Sequence, residues 1–472
     1  MLMMILAIDQ GTSGTKAIVV DEDGSVLSLV EVPVHPEYLP GGLVEQDPME
    51  LFESVRDAGT RAVNDAGVPI DAVSLANQGE TVLAWDRGSG IPLSTALVWQ
   101  DSRAQDVCDR LQSYSGFIAK RTGLVLDPYF SAPKMAWIRD NLTADGVVTT
   151  TDTWLLHALT EEFVTDVTTA SRSLLMDLDD RRWDPELCEF FGISDELLPN
   201  IVPCDATLGT TLLFGAPMQV AGVMVDQQAA LFGERCLAPG DAKCTYGTGA
   251  FLLANTGSHA PRSSQGLTTS VAWSTREETA YCLDGQVFTA ASAVRWLTDV
   301  GLVESAESLD AQASDDSAGV MFSPALAGLA APWWRSDATG SFTGLQLSSS
   351  NGDLVRAGLE GIAAQVAMLL TSFAVDQRGP LQRLRVDGGL TKSRVLMQAQ
   401  ADLAQIPVEV YPSAHATALG VAAMGQFAID PTLTMHDAVW PWFPEAVYEP
   451  RWSRDQAESY LHEWRRRVEA NL

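Results

Sequence analysis

Apolar residues at Ile5, Leu6, Ala7 and Ile8, and again at Ala17, Ile18, Val19 and Val20, form two short runs around the polar turn Asp9-Gln-Gly-Thr-Ser-Gly-Thr-Lys16. Runs of this length bounded by turn residues predict buried strands, and the acidic turn Asp21-Glu-Asp-Gly24 leads into a third from Ser25 to Val30. From Pro48 to Ala66 the period becomes helical, with Asp47 as N-cap and Pro48 at the first helical position. A strand at Ala72–Ala76 ends in the polar run Asn77-Gln-Gly-Glu-Thr81, and strand and turn alternate through Val82–Trp85, Asp86–Pro92 and Leu97–Asp101. These polar residues sit at strand ends, where open α/β sheets place ligands.

The opening plan recurs in mid-chain. Lys243-Cys-Thr-Tyr-Gly-Thr-Gly249 again sets glycines and threonines between apolar strands, the second running to Leu253. This predicts an internal duplication with two turns facing each other across a cleft, and a division into units 1–235 and 236–472. A third glycine element, Asp387-Gly-Gly389, ends a strand and precedes a helix from about Ser393 to Ala404. Its backbone can lie flat against a nucleobase or ribose, although a plain strand-to-helix turn is a competing reading.

The first turn has the composition of a phosphate grip. Backbone N–H groups at Gly11, Thr12, Ser13 and Gly14 can converge on an anion, the hydroxyls of Thr12, Ser13 and Thr15 add donors, and Lys16 adds charge. Asp9, at a strand end, is placed to hold a metal ion directly or through water. An ordinary hairpin is the alternative. The order Gly-Thr-Lys excludes a Walker loop, which requires Gly-Lys-Ser/Thr.

Net charge makes that lysine informative. The chain carries −31 at neutral pH, and its only lysines are Lys16, Lys120, Lys134, Lys243 and Lys392. Such a field repels nucleic acid and anionic membranes, so neither is an expected partner, and any phosphate site needs local cations. Six scattered cysteines without a CxxC pair argue against structural zinc and for a reducing, cytoplasmic setting. No stretch reads as long and apolar enough to cross a bilayer; Ala216–Leu231 comes nearest, interrupted by Asp226, Gln227 and Gln228.

Asp226 starts a helix that Gly233 should end. An N-cap is the common use of such an aspartate. Two carboxamides follow it immediately, however, and a site for a polyhydroxyl compound needs paired donors and acceptors of this kind.

These motifs together resemble the FGGY carbohydrate kinases of the actin and heat-shock ATPase superfamily, with the glycerol-phosphorylating branch closest. The resemblance rests on Asp9-Gln-Gly-Thr-Ser13, Asn77–Thr81, Leu97–Asp101, Gly123–Phe130, Thr168–Arg172, Asp226–Gly233, Thr245–Gly249, Ala331-Pro-Trp-Trp334 and Asp387–Gly389, in order over nearly the whole chain. It implies an α/β fold of two ribonuclease-H-like domains closing over Mg-ATP and a small alcohol, and a homodimer or homotetramer. It implies Asp226 as base, with Glu80, Trp99, Tyr129, Asp226, Gln227 and Phe251 forming the alcohol site. Thr12, Ser13, Lys16, Gly247, Thr248, Gly249, Gly388 and Gly389 would bind ATP, and Asp9 would hold Mg2+.

Several positions depart from that pattern. Gly79 stands where the branch has an arginine that bonds glycerol, which predicts weaker binding of a small triol and space for a longer one. Lys16 replaces an arginine and loses its bidentate fork. Ala291 and Arg295 replace a glycine and a glutamine that contact nucleotide. On the resemblance glycerol remains the leading expected substrate, and Gly79 keeps a longer polyol or ketose such as xylulose, erythritol or ribitol open as the second. A non-catalytic nucleotide-dependent sensor on the same fold is the reading from another class, disfavoured by the complete alcohol site.

Overall fold

The computed structural model describes all residues except 1, 2, 195, 378 and 380. It is built on two mixed sheets. In the first, Ile5–Gln10 lies between Gly14–Val20, antiparallel, and Ala72–Asn77, parallel; Val26–Pro33 extends one edge and Met218–Val225 and Thr207–Thr211 the other. In the second, Ala242–Tyr246 lies between Ala250–Gly257, antiparallel, and Leu384–Asp387, parallel, with Thr279–Val287 beyond the former and Val408–Val410 beyond the latter. Each sheet thus opens with an antiparallel pair whose first strand pairs in parallel with a later one, and each carries one of the Gly-Thr turns at that pair.

Strand alternation divides the first sheet between two cores. Leu6, Ile8, Val73 and Leu75 face the helix Pro48–Ala66, which buries Leu51, Val55, Ala58 and Ala62. Asp47 caps that helix by accepting from Met49 N at 2.8 Å, and Gly67, at φ 64°, ends it in the left-handed region that glycine tolerates. Ile5, Ala7, Ala72 and Ala221 face the other way, onto Ala418, Val421, Ala422 and Phe427 of the helix Ala416–Ile429. That same core takes in Leu253, Trp273 and Tyr281 of the second sheet. The C-terminal part of the chain therefore completes the core of the N-terminal part.

The fit is close where that helix meets Asp226–Gly233. A Cβ at Gly420 would overlap the backbone carbonyl of Ala229, and one at Gly222 would come within 2.5 Å of Gly425 N.

The strand expected at Val82–Trp85 is present and pairs with Ala96–Leu97 and Val147–Thr150, in a separate five-stranded sheet. Its partners are supplied by later segments that local pattern does not reveal. Contrary to the expectation about apolar stretches, the helix Asn351–Asp376 has the length and hydropathy of a membrane span. In this structure 83% of its most apolar window is buried against protein, and its acid Glu360 is paired with Arg356 at 2.7 Å. Core helices covered on most sides acquire the same composition.

These contacts predict opposite effects for two glycine-to-alanine changes. Gly420→Ala should destabilise by about 1–3 kcal/mol or more, because backbone rather than a flexible side chain opposes the new methyl. Gly116→Ala, inside the helix Ser115–Thr122 with nothing within 4 Å of the added Cβ, should stabilise by up to about 1 kcal/mol. Urea-denaturation midpoints of the two variants check both signs.

Candidate active site

The first Gly-Thr turn closes through Gly11 N donating to Gly14 O at 3.0 Å. The hydroxyl of Thr12 is already engaged: it donates to Gln78 Oε1 at 3.0 Å and accepts from Trp99 Nε1 at 2.9 Å. Ser13 is exposed and Lys16 lies beside Asp9 in register. The predicted phosphate turn is thereby tied to the predicted alcohol site through one threonine.

Trp99 continues the chain of contacts. Its ring meets Tyr129 and Phe251 edge-on, each at 5.6 Å between centroids, so residues from both sheets' units form one aromatic wall. Tyr129 accepts from Arg172 Nη2 at 3.3 Å, and the Arg172 guanidinium also bonds Glu80 and Asp284. All three charged groups are buried. Glu80 sits at φ 56°, an uncommon backbone region for a non-glycine residue, where Thr81 N reaches back to Gly79 O at 2.7 Å. Lys134, fully buried, donates to the carbonyls of Pro128, Tyr129 and Phe130 at 2.7–2.8 Å and so fixes the loop that presents Tyr129.

A Cβ at Gly79 would stand 2.9 Å from Val225 Cγ2 and 3.9 Å from Arg172 Cδ and Nε, so these two side chains flank the backbone at this position.

Asp226 opens the helix Asp226–Gly233, but Val225 occupies the cap position and the Asp226 carboxylate accepts from Gln227 N at 2.7 Å. Lys243 Nζ donates to Gln227 Oε1 at 2.6 Å and to Thr245 Oγ1 at 2.7 Å, linking Asp226's neighbour to the second sheet. Burial and the nearby Asp9 carboxylate lift Asp226 to about 6 against the pull of Lys243 and the Gln227 bonds. Burial likewise lifts Asp9 to about 6, with Lys16 opposing and Asp387 and Glu31 adding to the rise. The helix start therefore does not hold Asp226 at an ordinary carboxylate value, yet most of it remains ionised at neutral pH.

In the second turn, the carbonyls of Gly247 and Thr248 accept from Ala291 N and Ala290 N at 3.0 and 2.9 Å, seating the turn on the start of the helix Ala291–Asp299. Gly388, at φ 97°, lies so close to the Tyr246 carbonyl that no side chain fits, whereas Gly389 is open and exposed. A short turn of 3-10 helix, Gly389–Lys392, intervenes before the helix Arg394–Ala404.

Sequence reasoning missed Lys243, Lys134 and Asp284 and gave Arg172 no role. Three of the chain's five lysines, Lys16, Lys134 and Lys243, fall at this site, so lysine scarcity, applied above to Lys16 alone, pointed to the other two as well. Asp284, on an apolar strand, offered none. An open groove of about 1490 Å³ between His35, Phe52, Trp154 and His157 lies elsewhere and contains none of the predicted residues.

Comparison with known proteins is consistent with this geometry. Residues 4–233 match the N-terminal domain of the FGGY family of carbohydrate kinases and residues 242–429 its C-terminal domain. The chain is 40% identical to a glycerol kinase of Trichlorobacter lovleyi over 99% of this chain and 98% of that protein. It is 41% identical to a glycerol kinase of Thermus brockianus over 98% of each. Among solved structures it is similar to Plasmodium falciparum glycerol kinase with ADP, with a TM-score of 0.90, 32% identity, and coverage of 100% of this chain and 98% of that one. A xylulose kinase from Rhodospirillum rubrum, at 23% identity, TM-score 0.87 and coverage of 99% and 98%, shares the fold.

The raised carboxyls predict a stability signature. A group near 6 in the folded chain and 3.8 when unfolded binds more protons folded across that interval, so ligand-free stability falls as pH rises through it. Asp226→Asn and Asp9→Asn should each stabilise the metal-free protein at pH 7.5 by on the order of 1–3 kcal/mol, with the gain vanishing near pH 4. Denaturation in EDTA at the two pH values checks this.

Proposed function

The chain belongs to the FGGY family of carbohydrate kinases, phosphotransferases with an alcohol as acceptor, and we propose that it transfers the γ-phosphoryl of Mg-ATP to a terminal hydroxyl of glycerol. The observation that carries this reading is the convergence of Asp226 with the Glu80–Arg172–Tyr129 cluster and the Trp99–Phe251 wall between two Gly-Thr turns.

Asp226 orients the reacting hydroxyl and accepts its proton. Phosphoryl transfer passes through a loose transition state, so a base near 6 suffices and positioning carries most of the rate. Gln227, held by Lys243, fixes the carboxylate beside it. Glu80, Trp99, Tyr129 and Phe251 enclose the polyol. Backbone N–H groups of the first turn with Ser13 and Lys16, and those of Gly247, Thr248 and Gly249, grip the phosphates from opposite sides; Thr12 contributes backbone, its hydroxyl being engaged. Gly388 and Gly389 lie by the adenosine. The unit boundary falls between 235 and 236, and six free, buried thiols suit the cytoplasm.

For magnesium, the donor chemistry fits. Asp9 raises the proton affinity of Asp226, Asp387 raises that of Asp9, and buried Asp387 has an oxygen without a protein partner among the described residues, so the oxygen donors here suit a hard cation. Among the described residues no three side chains enclose a metal, which suits an ion held by Asp9, water and phosphates. Bound there, magnesium supplies charge neutralisation on the phosphate oxygens.

Glycerol is favoured over a longer polyol or ketose because the chain is 40% and 41% identical to glycerol kinases over nearly its whole length. Arg172 also has five N–H groups and uses three among the described residues, leaving one on each Nη beside the Asp284 and Tyr129 contacts.

In a coupled ADP-release assay, glycerol should give the strongest turnover in a panel that includes erythritol, ribitol and xylulose; a better longer substrate would overturn the assignment. Asp226→Asn should lower kcat by on the order of 10²–10⁴ while nucleotide affinity is kept. Below about pH 6, kcat/KM of the unmodified enzyme should fall, approaching about tenfold per pH unit well below 6, since the base must be ionised.

A further inference from the structure

Gln286 lies on the strand Thr279–Val287, opposite Phe251 in the antiparallel register and two residues beyond Asp284. Residues paired across strands, or two apart on one strand, point to the same sheet face. Phe251 on that face meets the Trp99 ring, and Asp284 takes the Arg172 guanidinium. Gln286 therefore projects toward the seam that holds Arg172, Glu80, Tyr129 and Trp99.

Its orientation is fixed by chemistry. The amide nitrogen donates to Asp284 Oδ1 at 2.7 Å, and a carboxylate accepts only donors, so the carbonyl oxygen must turn away. Gln286 is 2% exposed, and its Oε1 has no hydrogen-bond partner among the described residues. A buried acceptor left in this condition is destabilising unless something bound there donates to it.

Its place along the sheet indicates which group. Gln286, Phe251 and Thr245 form a row across three adjacent strands, and Thr245 bonds the Lys243 that holds Gln227, the neighbour of Asp226. Two strand spacings amount to roughly 10 Å, so Gln286 and the Asp226 end stand at opposite sides of the pocket.

We propose that Gln286 is a specificity-determining residue whose Oε1 accepts a hydrogen bond from the substrate hydroxyl farthest from the one phosphorylated. This rests on the polyol-kinase reading above. With Gly79 contributing no side chain, recognition of the far hydroxyl passes to the opposite wall, where Gln286 supplies the acceptor and the spare N–H groups of Arg172 the donors.

The test uses Gln286→Met, which keeps length but removes the acceptor, with glycerol, 1,2-propanediol and 1,3-propanediol. Wild-type turnover is read first; if no polyol is phosphorylated, the kinase reading fails and this inference falls with it. Given turnover, Gln286→Met should raise KM for glycerol and 1,3-propanediol by about three- to tenfold with kcat little changed, the range a neutral hydrogen bond supplies. It should leave KM for 1,2-propanediol, which lacks the far hydroxyl, unaffected. An unchanged glycerol KM overturns the inference alone, as does an equal loss with all three alcohols, which would mean that Gln286 acts only by holding Asp284. Gln286→Ala should reproduce the pattern and serves if the methionine variant does not fold.

Discussion

The buried guanidinium of Arg172 is the constraint around which the site is organised. A cation removed from water is tolerated only when its charge and donors are met, and here Glu80 comes from one half of the chain and Asp284 from the other. Satisfying Arg172 thus fixes the seam between the halves. Tyr129 and Phe130 cover the group at 5.7 and 5.8 Å, and Lys134 in turn pins the loop that carries them. Removing any one member leaves the others charged and dry, so the cluster behaves as a unit.

A second electrostatic theme runs through Asp9 and Asp226. Both are lifted well above ordinary carboxylates by burial, Asp226 further by Asp9 and Asp9 by Asp387 and Glu31, in a chain whose overall charge already disfavours more anions. The arrangement holds unfavourable charge at the place where a metal and phosphates are expected, and Lys16 and Lys243 flank it. Stability is given up locally where binding restores it.

Local signals were legible and distant ones were not. The helix Pro48–Ala66 could be read to the residue because its cap, its first-turn proline and its apolar period are all nearby in sequence. Both Gly-Thr turns and the start of the helix at Asp226 were equally plain. The neighbours of Gly79 were hidden, since they are Val225 and Arg172, far along the chain. The same holds for the sheet assignment of Val82–Trp85 and for Asp284, whose role exists only through Arg172. Hydropathy also could not separate a core helix such as Asn351–Asp376 from a membrane span, because both are surrounded by apolar groups.

The close seating of Ala416–Ile429 on the first sheet bears on how the protein is made. The last strand of that sheet ends at Val225, and the helix that covers its inner face begins only at Ala416. During synthesis from the N-terminus, the apolar row of Ile5, Ala7, Ala72 and Ala221 lacks the cover of that helix until nearly the whole chain has left the ribosome. The first half cannot mature as an independent folding unit, and a nascent chain stalled or cleaved between the halves presents a sticky face suited to chaperone capture.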